Sequence, residues 1–218
     1  MQVLGFELID LTGVKGVLLD IDNTLYPYQP SHQLAQAVAA KALQEHLGVD
    51  GIAFESAYRV ARTRVHHDLE GQAASHSRLL YGQKLVEGLL GRTDFEASLL
   101  FEQVYWDTFL KTISLLPEAK VFLEQCREAN INVCLLTDLT AAIQHQKAIV
   151  LGLADYVRFM VSSEEAGVEK PVAAMFNLGM EKLGLSPDDC IMVGDSLEKD
   201  IRGAEALGIR AYQILIID

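Results

Sequence analysis

One stretch constrains this chain more than any other: "KGVLLDIDNTLYP", residues 15–27. Val17, Leu18 and Leu19 form an unbroken apolar run, the pattern of a strand covered on both faces inside a parallel sheet. Side chains alternate along a strand, so Leu18, Asp20 and Asp22 point to one side. Two carboxylates are thereby aimed at one small volume beside an apolar core. That placement is costly unless something else is bound there.

Three more runs read as buried strands: "INVCLLT" (131–137), "VRFMVS" (157–162) and "CIMVGD" (190–195). A last one, "RAYQILI" (210–216), closes the chain. Between the later strands lie helical patterns at 118–129, 172–184 and 198–207, each with one apolar face. Strands alternating with helices of this length argue for right-handed β-α-β units and a parallel sheet. Residues 28–113 differ. They carry almost no strand signal and read as four helices, at about 31–47, 51–70, 75–91 and 94–112, flanked by the proline-bearing "YPYQPS" and "SLLPEAK". The expected architecture is α/β: a Rossmann-like parallel sheet core from residues 1–27 and 114–218, with an inserted α-helical bundle cap at 28–113.

Composition narrows the function classes. Half of the 218 residues are hydrophobic, enough for a sizeable core. The formal net charge of −12 and the lack of any Lys/Arg run argue against a nucleic acid polymer as partner. No apolar stretch approaches the roughly 20 residues that span a bilayer, so no membrane partner is expected. The start "MQVLGFELID" lacks the basic opening of a secretory signal. Cys126, Cys134 and Cys190 form no C-x-x-C pair and read as small buried thiols of a reducing compartment. A soluble, cytoplasmic protein, monomer or homodimer, is expected.

Ligands of open parallel sheets bind beyond the carboxyl ends of the strands. Those ends supply Asp20 and Asp22, then Thr137 followed by Asp138, then Asp195 with Asp200 in the next helix. The loop after "VRFMVS" adds Lys170, just before Pro171. Like charges about 4 Å apart cost roughly 4 kcal/mol each at an effective dielectric near 20. Asp20, Asp22, Asp195 and Asp200 together demand a protonated carboxyl or a cation. Hard carboxylate oxygens without His or Cys favour Mg²⁺ over Zn²⁺. An aspartate left over beside a metal, a lysine and a hydroxyl suits nucleophilic attack on phosphorus.

"DIDNTLY", Thr137 at a strand end, "EKP" with Lys170 and "GDSLEKD" stand in the order found in the haloacid dehalogenase superfamily. Over most of residues 15–213 the chain resembles its phosphatase branch with a helical C1-type cap (subfamily I). Each motif alone is weak; four in order at matching strand ends are specific. The resemblance implies that Asp20 attacks a phosphate monoester and becomes an aspartyl phosphate. It implies that Asp22 protonates the leaving oxygen and then activates water, and that Thr137 and Lys170 bind phosphoryl oxygens. It assigns Mg²⁺ to Asp20, the Asp22 carbonyl, Asp195 and Asp200. Members that cleave carbon–halogen bonds differ at the position of Asp22. The residue after Thr137 is often asparagine in this family; the extra carboxylate of Asp138 should weaken phosphate binding unless it turns away or pairs.

In such proteins the inserted bundle closes over the site and reads the leaving group, which matches general lid logic. Its polar stretch at 61–84 includes the turn-like "EGQAASHSR", where His76, Ser77 and Arg78 are the candidate substrate-binding residues. Adjacent His66 and His67 point apart on a helix, so a metal there is not expected. "DIDNTLYP" and "SHSRLLYGQ" resemble relatives that act on pyrimidine nucleotides. The expected partner is a small phosphorylated metabolite; the resemblance points to a nucleoside 5′-monophosphate, with sugar phosphates and phosphoglycolate as the alternatives. Two rival readings stand beside hydrolysis: a phosphomutase of the same superfamily acting on a sugar phosphate, and a phospho-aspartate binding or regulatory module.

Overall fold

The structure, a computed structural model, describes residues 2–49 and 51–217, and of Ile52 and Ala53 the backbone only. Met1, Asp50 and Asp218, which the expected domain ranges include, lie outside the described residues. The chain divides into two compact units, Met1–Tyr28 with Ile113–Asp218 and Gln29–Thr112.

The first unit is built on a five-stranded parallel sheet. Its strands are β2 (Gly16–Leu19), β3 (Asn132–Thr137), β4 (Val157–Ser162), β5 (Cys190–Gly194) and β6 (Arg210–Gln213), in the spatial order β4-β3-β2-β5-β6. β2 is central and in register with β3 and β5, pairing Leu18 with Cys134 and with Met192. Every residue of β2 and β5 is buried, as the unbroken apolar runs imply. Helices α5 (Pro117–Glu128), α6 (Ala141–Val150), α7 (Ser163–Ala166) and α8 (Ala173–Leu183) connect the strands. The α/β class expected from the sequence is what the chain adopts.

Leu18 lies in one apolar cluster with Cys134, Leu136, Val161, Met175, Phe176 and Met192. α8 approaches the sheet at Gly179, where an added Cβ would come within 2.8 Å of the Leu18 side chain. The cysteines are free and buried. Burial pushes the thiols of Cys126 and Cys134 up to about 12.

Three local features depart from the sequence reading. The closing strand is two strands. β6 runs parallel beside β5, Ile214 donates its N–H to the Gly194 carbonyl at 2.9 Å, and β7 (Leu215–Ile217) then pairs antiparallel with β1 (Gln2–Leu4). The helix expected over 198–207 is a wide-turned π segment, Leu197–Arg202, followed by the short α9, Gly203–Glu205. In the widened turn the Ile201 N–H reaches back five residues to Ser196 O at 3.2 Å. α6 carried no apolar signature because its buried residues are Gln144 and Lys147.

The second unit is helical: α1 (Tyr28–Leu47, which begins in the first unit), α2 (Gly51–Asp68), α3 (Arg78–Leu90) and α4 (Phe95–Thr112). A 3₁₀ turn, Ala73–His76, precedes α3, and the Ser77 Oγ caps that helix by accepting the Leu80 N–H at 3.3 Å. Gly82 lets α3 meet α4, since a Cβ there would lie 3.0 Å from the Ser98 carbonyl. Among the described residues no helix is long and apolar enough to cross a membrane.

Leu18→Ala would open a void at the centre of the sheet and should cost about 2–5 kcal/mol. Urea unfolding followed by circular dichroism measures this; a loss below 1 kcal/mol would mean that the cluster around Leu18 is not the core.

Candidate active site

The carboxyl edge of the sheet gathers the polar residues of the first unit. Asp20 follows β2, and its main-chain N–H donates to the Val193 carbonyl at 2.9 Å, continuing the ladder with β5. Its carboxylate is held at both ends: Oδ2 accepts the Thr24 hydroxyl at 2.9 Å, and Oδ1 accepts Lys170 Nζ at 2.6 Å. Lys170 is buried, donates also to the Leu136 carbonyl at 2.9 Å, and lies 2.7 Å from Asp200 Oδ1. One ammonium thus ties the end of β2 to the segment after β5.

Asp20, Asp195 and Asp200 each bring one carboxylate oxygen within 4.8 Å of the others. Asp200 is buried, and its Oδ2 accepts the Ser196 N–H at 2.9 Å. It occupies the space where a Cβ on residue 194 would sit, 2.4 Å from that position, so glycine is required there. Gln213 on β6 donates to the Asp195 carbonyl at 2.9 Å.

The electrostatics follow from burial and crowding. Burial drives the Asp20 pKa well above the carboxylate range; Lys170 opposes this, while Asp200 and Asp195 add to it. Burial and Asp200 likewise push Asp195 up to about 6. For Lys170, burial favours the neutral amine, but Asp20, Asp200 and Asp138 outweigh it and raise its pKa. One lysine for two buried carboxylates and a half-buried third leaves negative charge unbalanced. Asp200 Oδ1 is buried and, although near Lys170, makes no aligned hydrogen bond. An all-oxygen donor set with an under-satisfied oxygen suits a hard divalent cation.

Asp22 stands apart from this trio. Lys147 Nζ contacts both of its carboxylate oxygens at 2.7 Å, and the Tyr26 hydroxyl donates to Oδ1. Burial raises the Asp22 pKa, but the Lys147 charge and the hydrogen bonds from Lys147, Tyr26 and Gln144 more than reverse it, leaving it lowered. Thr137 is buried at the end of β3, where its Oγ1 accepts Gln144 Nε2 at 2.7 Å. Gln144 and Lys147 were missed in the sequence. Their signal was a helix whose buried positions are polar, one turn apart, directly after a strand-end threonine.

The three cap candidates lie in the second unit. His76 ends the 3₁₀ turn with its ring 5.1 Å from that of His66. Ser77 is the α3 cap. Arg78 is buried, its guanidinium 4.7 Å from the Tyr105 ring, 5.2 Å from Trp106 and 5.3 Å from Tyr81. His32 Nδ1 lies 2.7 Å from the Tyr105 hydroxyl, and burial with the nearby charges of Arg78 and Arg62 lowers its pKa to about 4.

A family model of haloacid dehalogenase-like hydrolases matches residues 14–208. The chain belongs to the haloacid dehalogenase-like hydrolases. It is 42% identical over 195 residues to a ribulose-1,5-bisphosphate 5-phosphatase of Halopiger xanaduensis, covering 88% of this chain and 81% of the relative. It is 32% identical over 203 residues to a glyceraldehyde 3-phosphate phosphatase of Methanopyrus kandleri, covering 92% and 84%. The fold matches that of a 2-haloacid dehalogenase from Pseudomonas syringae with a TM-score of 0.72 at 24% identity, over 91% of this chain and 85% of that one. The haloacid dehalogenase-like chain is thus a hydrolase with phosphatase relatives.

Because the Asp195 pKa is raised on folding, its contribution to stability is full below about pH 4 and is lost as pH climbs through about 6. In chelator, Asp195→Asn should therefore be more stable than the parent above pH 6, with the margin closing toward pH 4. Urea midpoints across that range check this; equal midpoints at pH 7 would refute the crowding of the trio.

Proposed function

We propose that this protein is a Mg²⁺-dependent phosphatase that hydrolyses a small phosphate monoester through an aspartyl phosphate on Asp20. The observation that carries the reading is Lys170, buried between Asp20 and Asp200, with Asp195 completing an oxygen-only trio. Phosphoryl transfer needs charge neutralisation and in-line positioning more than elaborate covalent chemistry.

In this reading an Asp20 carboxylate oxygen attacks phosphorus as the ester P–O bond breaks. Lys170 and the Thr137 hydroxyl hold the transferred oxygens, with Gln144 fixing the threonine. Asp22 gives a proton to the departing alkoxide oxygen and later takes one from the water that releases inorganic phosphate. An aspartate clasped by an ammonium gives up no proton, so this role requires the Lys147 contact to open once the ester is bound. Asp20, Asp195, Asp200 and the Asp22 carbonyl would hold Mg²⁺, which would supply charge neutralisation for the phosphoryl oxygens.

The relatives' names favour phosphorylated sugars and trioses as the substrate class. A nucleoside 5′-monophosphate is the second reading, resting on the likeness of "SHSRLLYGQ" to pyrimidine-nucleotide phosphatases with a C1-type cap. Of the three expected cap residues, His76 is the one this reading assigns to the organic part of the ester, since the Ser77 hydroxyl caps α3 and Arg78 is packed among aromatic rings. A phosphomutase would return the phosphoryl group to the sugar, and a regulatory module would keep it; release of free phosphate with turnover separates hydrolysis from both.

Phosphate release should be screened over sugar phosphates, nucleoside monophosphates and phosphoglycolate with Mg²⁺. Asp20→Asn should reduce it by at least about 10³-fold with its thermal midpoint kept, because no nucleophile remains. Chelation should abolish release and added Mg²⁺ restore it. Full activity in Asp20→Asn would remove the nucleophile from the scheme.

A further inference from the structure

Asp138 raises a question that the proposed chemistry leaves open: a carboxylate next to Thr137 should oppose an anionic substrate. Its surroundings answer it. Oδ1 accepts the main-chain N–H of Lys170 at 3.0 Å, and Oδ2 accepts Lys199 Nζ at 2.8 Å. Lys199 reaches Glu169 Oε2 as well, at 3.2 Å. The Asp138 carbonyl is taken by Gln144 Nε2 at 2.7 Å. Three segments meet here: the end of β3, the Glu169–Lys170 loop and the π segment that carries Asp200. Lys199 is itself held, its N–H donating to the Ser196 Oγ at 3.2 Å.

We propose that Asp138 and Lys199 act as one ion-paired strut that positions Lys170 and keeps the Asp138 carboxylate from repelling the phosphoryl group. Both are positioning residues, and the inference rests on the phosphatase reading. A lysine side chain has many rotamers, so its ammonium is placed reliably only if its main chain is fixed. Asp138 fixes it through the Lys170 N–H. An asparagine would supply the same acceptor without the charge. Aspartate at this position therefore makes a nearby cation necessary, and Lys199 provides it. Where the Asp138 carboxylate is absent the lysine keeps only Glu169 to neutralise, so its duty beside Thr137 depends on Asp138.

The test compares the parent protein with K199M, K199R, D138N and D138N/K199M. Each is measured with Mg²⁺ for KM and kcat on the best ester of the screen, for the Kd of inorganic phosphate by calorimetry, and for its thermal midpoint. K199M strips the counter-charge from Asp138 and should weaken phosphate roughly tenfold, with KM rising in step. K199R keeps the charge and should stay within about threefold of the parent. D138N/K199M removes both charges and should recover most of the affinity that K199M loses, a non-additive result that a merely structural role does not produce. Losses that multiply in the double variant, or a K199M protein with unchanged phosphate affinity, would overturn the strut. A parent protein that releases no phosphate from any ester would instead overturn the phosphatase reading, and the strut with it.

Discussion

The site depends on one buried ammonium. Lys170 sits with its charge between Asp20 and Asp200 and a carbonyl of the central sheet. Moving a lysine and two carboxylates out of water costs several kcal/mol per ion, and their attraction repays that only with good geometry and additional hydrogen bonds. The surrounding contacts supply them: Thr24 on one oxygen of Asp20, the Ser196 N–H on one oxygen of Asp200. Breaking any one of these leaves a buried carboxylate oxygen without its donor. The cluster is therefore a stability risk that a chain carries for its chemistry and not for its fold.

The α/β class was legible because the central strands β2, β3 and β5 are buried on both faces and so read as unbroken apolar runs. The polar strand ends were legible for the same reason: Asp20, Thr137 and Asp195 interrupt runs that otherwise contain no charge. What was not legible lies where that logic inverts. α6 turns Gln144 and Lys147 inward and leaves Ile149 exposed, so its periodicity looks like that of no buried helix. The split between β6 and β7 was hidden because "RAYQILI" carries no glycine or proline to mark a break, and only the pairing partners change at Ile214. The pairing of Asp138 with Lys199 spans residues 61 positions apart, beyond any local pattern.

The helical unit shows a different economy. Arg78 is buried among three aromatic rings, where a guanidinium is tolerated because it is weakly hydrated and stacks on π faces. The sequence marked the segment "SHSR" as polar and turn-like. It did not distinguish Ser77, which spends its hydroxyl on capping a helix, from Arg78, whose charge is packed inside.

Gly194 shows how tightly such a site binds its own history. Its missing side chain is the volume that the Asp200 carboxylate fills. Neither position can drift alone: a larger residue at 194 evicts the acid, and a smaller residue at 200 leaves a hole under the sheet. Across descendants of this chain the two should be lost or kept as a unit, an inheritance written in excluded volume before any reaction is considered.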